Sequence, residues 1–262
     1  MAHQRPTNRT RQATSDGGHT WSVVALPAPK PRGICGMWVV GDSVVNGVGA
    51  YYGTPRFVRS VDRGTTWSVL DMSPYCGALV DTYWWSPDSG LACGSTAPGT
   101  TRKPRVLMTT DGGATWSIRW TGTRNRELCW KISFVNRNVG FIAIENLGTT
   151  GAAYFLKTTD GGLTWVEHLF EPTYRDCEGI GFLTEQIGWI GGWDFPTEET
   201  TDGGLTWHDA GFGYNTNRFR FISPTLAYAV GARAYKYVGD VTGAPEPGGP
   251  APARLLAQNR PN

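Results

Sequence analysis

The chain has 262 residues, 40% of them hydrophobic and 18% charged, and a net charge of +2. That length suffices for one domain with a substantial core. The near-neutral balance makes no case for nucleic acid or an anionic membrane surface as a partner, and no apolar run reaches the roughly 18 residues that a membrane-spanning helix needs.

In chain order, Met1 to Arg11 is polar and basic with no apolar core segment, so no signal peptide is expected. The chain then opens almost directly on Thr14-Ser15-Asp16-Gly17-Gly18-His19-Thr20-Trp21, and this start reads as a trimmed or truncated one. The same pattern returns at Ser60–Trp67, Thr109–Trp116, Thr158–Trp165 and Thr200–Trp207, with its aspartates at Asp16, Asp62, Asp111, Asp160 and Asp202. Asp-Gly-Gly between two β-prone runs predicts a hairpin turn, because glycine accepts positive φ and Asp bonds forward to its own backbone. The Thr-Trp that follows starts a strand, and Trp21, Trp67, Trp116, Trp165 and Trp207 read as structural plugs over the turns. One acid per turn is too few oxygens for a calcium loop, and no metal or cofactor is expected.

Spacings of 42 to 49 residues between these aspartates match propeller blades of four strands each. The first unit covers about 33–72 and the second about 76–120. In the third, the predicted strands are 130–135, 140–144, 153–157 and 164–167, with the turn between the last two. A fourth unit covers about 177–210. The last begins near Arg218 and supplies strands at 219–222, 228–231 and 234–238, without a following turn motif. The N-terminal motif has an outer strand, 20–24, and no inner ones. The expected fold is therefore an all-β, five-bladed propeller over 1–240, whose last blade is finished by the N-terminal strand; six blades is the alternative. Residues 241–262 are rich in Pro, Gly and Ala and read as a flexible tail.

The repeated motif resembles the Asp-box, or BNR repeat, of sialidases, sortilin-type receptors and the photosystem II stability/assembly-factor family. The fuller form Thr-Thr-Asp-Gly-Gly-x-Thr-Trp is most similar to that last family and its bacterial relatives. The resemblance implies a β-propeller and favours an exported protein. For the assembly-factor group it also implies a protein partner bound on a basic, Arg-rich face.

Cys35, Cys129 and Cys177 stand near the starts of innermost strands, and Cys76 in a similar place. Two readings stay open: disulfides Cys35–Cys76 and Cys129–Cys177 in an oxidising compartment, or buried free thiols. Cys93 has no obvious partner.

Chemistry is expected at the end of the blades opposite the turns. The blade crossings and the loops between second and third strands carry Arg32, Arg126, Arg175 and Arg218, with Arg220 and Trp130 on the strands that follow and Trp193 on a loop. Arginine forks bind carboxylates or phosphates, and aromatics stack on sugars or peptide segments. Tyr51 and Tyr52 belong to the same set of loops. Two functions compete. One is a monomeric binding scaffold for a protein partner, a glycan or a small anionic molecule. The other is a glycan-active enzyme of the sialidase sort, with Glu145, Glu178, Asp194 and Tyr174 as candidate catalytic residues. Against the enzyme, the Arg-Ile-Pro signature of sialidases is matched only poorly, by Pro31-Arg32-Gly33-Ile34. An enzyme predicts a carboxyl with a perturbed pKa and no structural partner; a scaffold predicts carboxylates paired to arginine.

Overall fold

The computed structural model describes residues 11–49 and 53–238. The 241–262 tail and the pair Tyr51 and Tyr52 lie outside these residues.

The architecture is all-β and five-bladed. A short hairpin comes first, β1 (Arg11–Ala13) with β2 (Ser22–Val24). Sheet one holds β3 (Gly36–Val40), β4 (Val44–Gly49), β5 (Arg56–Ser60) and β6 (Ser68–Asp71). Sheet two holds β7 (Ala78–Trp84), β8 (Gly90–Ser95), β9 (Pro104–Thr109) and β10 (Ser117–Thr121). Sheet three is β11 (Glu127–Phe134), β12 (Gly140–Asn146), β13 (Ala153–Thr158) and β14 (Val166–Glu171). Sheet four is β15 (Asp176–Phe182), β16 (Gly188–Trp193), β17 (Pro196–Thr200) and β18 (His208–Tyr214). The last sheet has three strands, β19 (Thr216–Ser223), β20 (Leu226–Gly231) and β21 (Ala234–Val238). All pairings are antiparallel between sequence neighbours, and Gly99–Thr101, a single 3₁₀ turn, is the helical content of the described residues.

Each corner between third and fourth strands is closed by the same local bonds. At Asp111, the Thr115 backbone N–H donates to Oδ1 at 2.9 Å and its hydroxyl to Oδ2 at 2.6 Å. The Thr109 hydroxyl donates to Asp111 at 2.8 Å and accepts from the Gly113 N–H at 2.9 Å. The Trp116 indole N–H caps the Gly113 carbonyl at 3.1 Å. Donation by Thr115 and Thr109 holds the Asp111 carboxyl down at about 2. The corner at Asp16 repeats every one of these bonds. Gly113 sits at φ +87, and a Cβ there would meet the Phe57 ring at 2.3 Å, so only glycine fits.

The corner indole plugs the seam with the preceding sheet. Trp116 meets Phe57 of sheet one edge-on at 5.4 Å, and Trp207 meets Phe155 of sheet three at 5.7 Å. The apolar core is a series of such seams, each drawing buried residues from two neighbouring sheets. Trp116 and Trp165 are 6% exposed, whereas Trp21 of the N-terminal hairpin is 57% exposed.

The expected completion of the last sheet by the N-terminal strand is corrected here. Among the described residues β2 pairs with β1 alone, and β21 has no outer neighbour. The N-terminal corner brings its own third strand: β1 stands to β2 as β9 stands to β10. The hairpin thus satisfies its own ladder, and β21 is a second third strand competing for the same position. The last sheet is instead tied to the first two across the centre, where Arg220 lies 4.7 Å over the Trp38 ring and Arg218 bonds Asp81 at 3.1 Å.

The five cysteines are free thiols, Cys35 exposed and Cys76, Cys93, Cys129 and Cys177 buried. Of the two readings left open, the structure holds the unbridged one.

Candidate functional site

Strand register places the functional rim. Gly140 pairs with Thr158, the residue before a corner, so β12 runs away from the corner end. Glu145 and Asn146 therefore end at the other rim, opposite Leu128 and Glu127 at the start of β11. Asp176 pairs with Trp193 at the same end of sheet four. The corners and the loops expected to carry function are at opposite ends.

Four of the five innermost strands shift register near this rim, between Leu79 and Asp81, Cys129 and Ile132, Cys177 and Gly179, and Thr216 and Arg218. Such bulges re-aim a side chain. The residues set free include Lys131, Glu178 and Asn217, all on strands that line the centre.

Here the acids gather. Glu145 is 4% exposed, and its Oε2 has no hydrogen-bond partner. Burial first, then the neighbouring Asp176 and Glu178, push its carboxyl up to about 9, against the pull of Arg102 and Lys131. Burial and Glu178 raise Asp176 to about 6, and its Oδ1 is also without a partner. Glu178 is raised by burial, against the opposing pull of the neighbouring Asn217 amide and Lys131. Tyr174 stands over the group, its hydroxyl raised by burial and by Asp176 and Glu145. Lys131 is buried, its ammonium over the Trp130 ring at 5.3 Å, and desolvation lowers its pKa against the pull of Asp81.

Most of the expected arginines are engaged in structure. Arg218 is salt-bridged to Asp81, a carboxylate that also accepts the Ile132 N–H from sheet three at 3.1 Å. Arg175 donates to the Tyr174 carbonyl at 3.1 Å and lies 5.8 Å over Phe195. Arg220 sits deeper, against Trp38, and Trp130 packs into the seam between sheets three and four. Arg32 and Arg126 are exposed.

A second feature stands outside the channel. Asp194 and Asn215 are non-glycine residues at φ 68 and 57. They lock together: the Asp194 N–H donates to Asn215 Oδ1 at 2.7 Å, and the Tyr214 hydroxyl donates to Asp194 Oδ1 at 3.0 Å. This clamp presents Trp193, 60% exposed, and Tyr214, 48% exposed, as two aromatic faces on the rim. Tyr214 also walls an open groove of about 500 Å³, with Phe212, Tyr235 and Arg233.

Glu145, Glu178, Tyr174 and Asp194 are therefore brought to one rim, and Trp193 with them. Asp176, on the crossing before β15, stands in the sequence among the acids with Glu145 and Glu178, whereas sequence reasoning missed Lys131, Asn217 and Asp81. The bulges that aim them leave no local signature, although Asp81 and Lys131 are charges inside otherwise strand-like apolar runs.

No family model matches the chain, and no curated protein matches it. Solved structures resemble it. YCF48 bound to D1 peptide is 18% identical over 89% of this chain and 88% of that one, with a TM-score of 0.47. An ancestral GH74 enzyme is 14% identical over 80% of this chain and 30% of that one, at 0.54. The WD40 β-propeller domain of Doa1 is 12% identical over 78% of this chain and 64% of that one, at 0.53. At such identities the likeness shows the fold alone, a β-propeller.

Proposed function

We propose that this chain is an Asp-box propeller of the assembly-factor-like kind whose rim, opposite the corners, holds a segment of a partner polypeptide. The observation that carries the reading is the clamped pair of aromatics, Trp193 and Tyr214, beside an open groove. Two non-glycine residues at positive φ, bonded to each other, fix the backbone that carries these rings before any ligand arrives. Preorganised, exposed Trp and Tyr are the side chains that dominate binding at polypeptide interfaces. The carboxylate beside the rings, Asp194, accepts the Tyr214 hydroxyl and so serves to hold the platform. Selection from a random peptide display library should yield binders whose capture falls at least tenfold for Trp193→Ala with Tyr214→Ala. A library that yields none, or binders indifferent to both changes, defeats the reading.

A hydrolytic reading has one observation in its favour. Glu145 pushed up to about 9 beside Asp176 at about 6 is a proton donor next to an ionised acid at neutral pH. On a panel of polysaccharides that reading requires product release that Glu145→Gln abolishes.

A further inference from the structure

The channel mouth is short of a positive charge. Glu145 is enclosed, with Oε2 unpartnered, and the groups it faces most strongly are two more acids. Asp176 and Glu178 are half-buried and open the group towards the rim, and Asp176 Oδ1 likewise lacks a donor. A buried carboxyl without a donor is costly unless something supplies one. The cations of the fold do not discharge that need. Arg218 is spent on Asp81, Arg102 donates to the Gly99 carbonyl at 2.8 Å, and Lys131 sits over Trp130 among Asp81, Glu145 and Glu178. Among the described residues no group of three His, Cys, Asp or Glu has the arrangement to hold a metal ion.

We propose that Glu145, Asp176 and Glu178 form a receptor for one organic cation, the guanidinium or ammonium of an Arg or Lys side chain carried by the bound polypeptide. The site rests on the binding reading above and deepens it, by naming the side chain that enters the channel while the flanking backbone meets Trp193 and Tyr214. A planar guanidinium offers five N–H donors in a fork, and the pocket offers carboxylate oxygens from two sheets. Tyr174 neighbours the group from the crossing before β15, and the Asn217 amide of β19 neighbours Glu178. The remaining charged or titratable neighbours are Arg102, Lys131 and Cys177. Entry of a cation makes ionised Glu145 favourable, so binding releases a proton near neutral pH and tightens as pH rises towards 9.

The test uses the whole chain and a small probe, N-acetyl-arginine amide, with N-acetyl-citrulline amide as its uncharged isostere. Calorimetry at pH 7 in buffers of different ionisation enthalpy should show the arginine probe binding with release of about one proton, and the citrulline probe at least tenfold weaker. Glu145→Gln should weaken the arginine probe about tenfold or more and remove the proton release. This variant copies the neutral form that burial already favours and is expected to fold. Asp176→Asn, at the half-exposed mouth, gives the same reading with less effect. Equal binding of the two probes, no binding of either, or binding unchanged in both variants overturns the proposal. Trp193→Ala should leave the probe's affinity unchanged while lowering peptide capture, so the receptor and the platform succeed or fail separately.

Discussion

At the residue scale, Glu145 makes the fold itself sensitive to pH. Its carboxyl is raised from 4.5 to about 9 in the folded chain, chiefly by burial and then by Asp176 and Glu178. Between those two values the unfolded chain has lost the proton that the folded one keeps. The unfolded state then binds fewer protons, and stability falls as pH rises across the window. Glu145→Gln removes this penalty, because an amide never ionises. The variant should match the parent near pH 4 and exceed it by about 2 kcal/mol at pH 7, judged at about 1.4 kcal/mol per pKa unit and discounted for relaxation of the site. Urea denaturation at the two pH values checks this; an equal difference at both would mean the gain comes from packing. The corner aspartates carry the opposite sign. Thr66 and Thr115 donors hold Asp62 and Asp111 at about 2, so the stability they contribute is present above about pH 4 and is lost as pH falls towards 2.

At the element scale, identical motifs contribute unequally because a corner is worth what its indole touches. Trp116 packs against Phe57 at 5.4 Å and Trp84 at 6.0 Å, in the seam between sheets one and two. Trp21 makes the same indole bond to its own corner, to the Gly18 carbonyl at 3.0 Å, yet remains 57% exposed. Trp116→Ala should therefore cost about 3–5 kcal/mol, the range for emptying a buried aromatic site. Trp21→Ala should stay within about 0.5 kcal/mol, as exposed substitutions do. Equal losses in denaturant titrations would show that the N-terminal hairpin is seated as firmly as the others. The contrast also marks how far the sequence speaks. The corners were legible because every donor to the aspartate lies within four residues of it, as at Asp111 with Thr109 and Thr115. Five repeats at regular spacing then pointed to five blades, with six as the alternative, and to the strand order within each. The fate of the first hairpin was not legible, because β1 and β21 are both third strands, and which of them keeps β2 depends on packing rather than pattern. The acid group was legible only in part. Glu145 and Glu178 stand out as acids beside a rim, but the shift between Cys177 and Gly179 that sets Glu178 outside the ladder is a register event with no residue code.

At the scale of the whole molecule, the described residues brace the blades through the centre, with no closing strand among them. Asp81 of sheet two accepts from Arg218, 137 positions away in the last sheet, and from the Ile132 N–H of sheet three. One carboxylate, 2% exposed, thus joins three blades. Arg218→Met would leave that carboxylate buried with the Ile132 N–H as its one remaining hydrogen-bond donor among the described residues, and with Lys131 and Arg220 as the other cations that act on it. Stranding one partner of a buried ion pair costs about 3–5 kcal/mol. The loss here should sit near 3 kcal/mol, about the low end of that range, because Lys131 and Arg220 offset part of the charge. Asp81→Asn combined with Arg218→Met removes both charges together, and it should recover at least about 1 kcal/mol of that loss, the signature of direct coupling in a double-mutant cycle. A brace between distant blades makes a further demand that a local contact does not. The single variant should lose cooperativity as well as stability, with the last sheet unfolding at lower denaturant than sheets two and three. Hydrogen exchange read separately on β8, β12 and β20 reports this directly. Uniform loosening of all three strands would show that the blades are held as one unit by their apolar seams, and that the Arg218–Asp81 bond is incidental to closure.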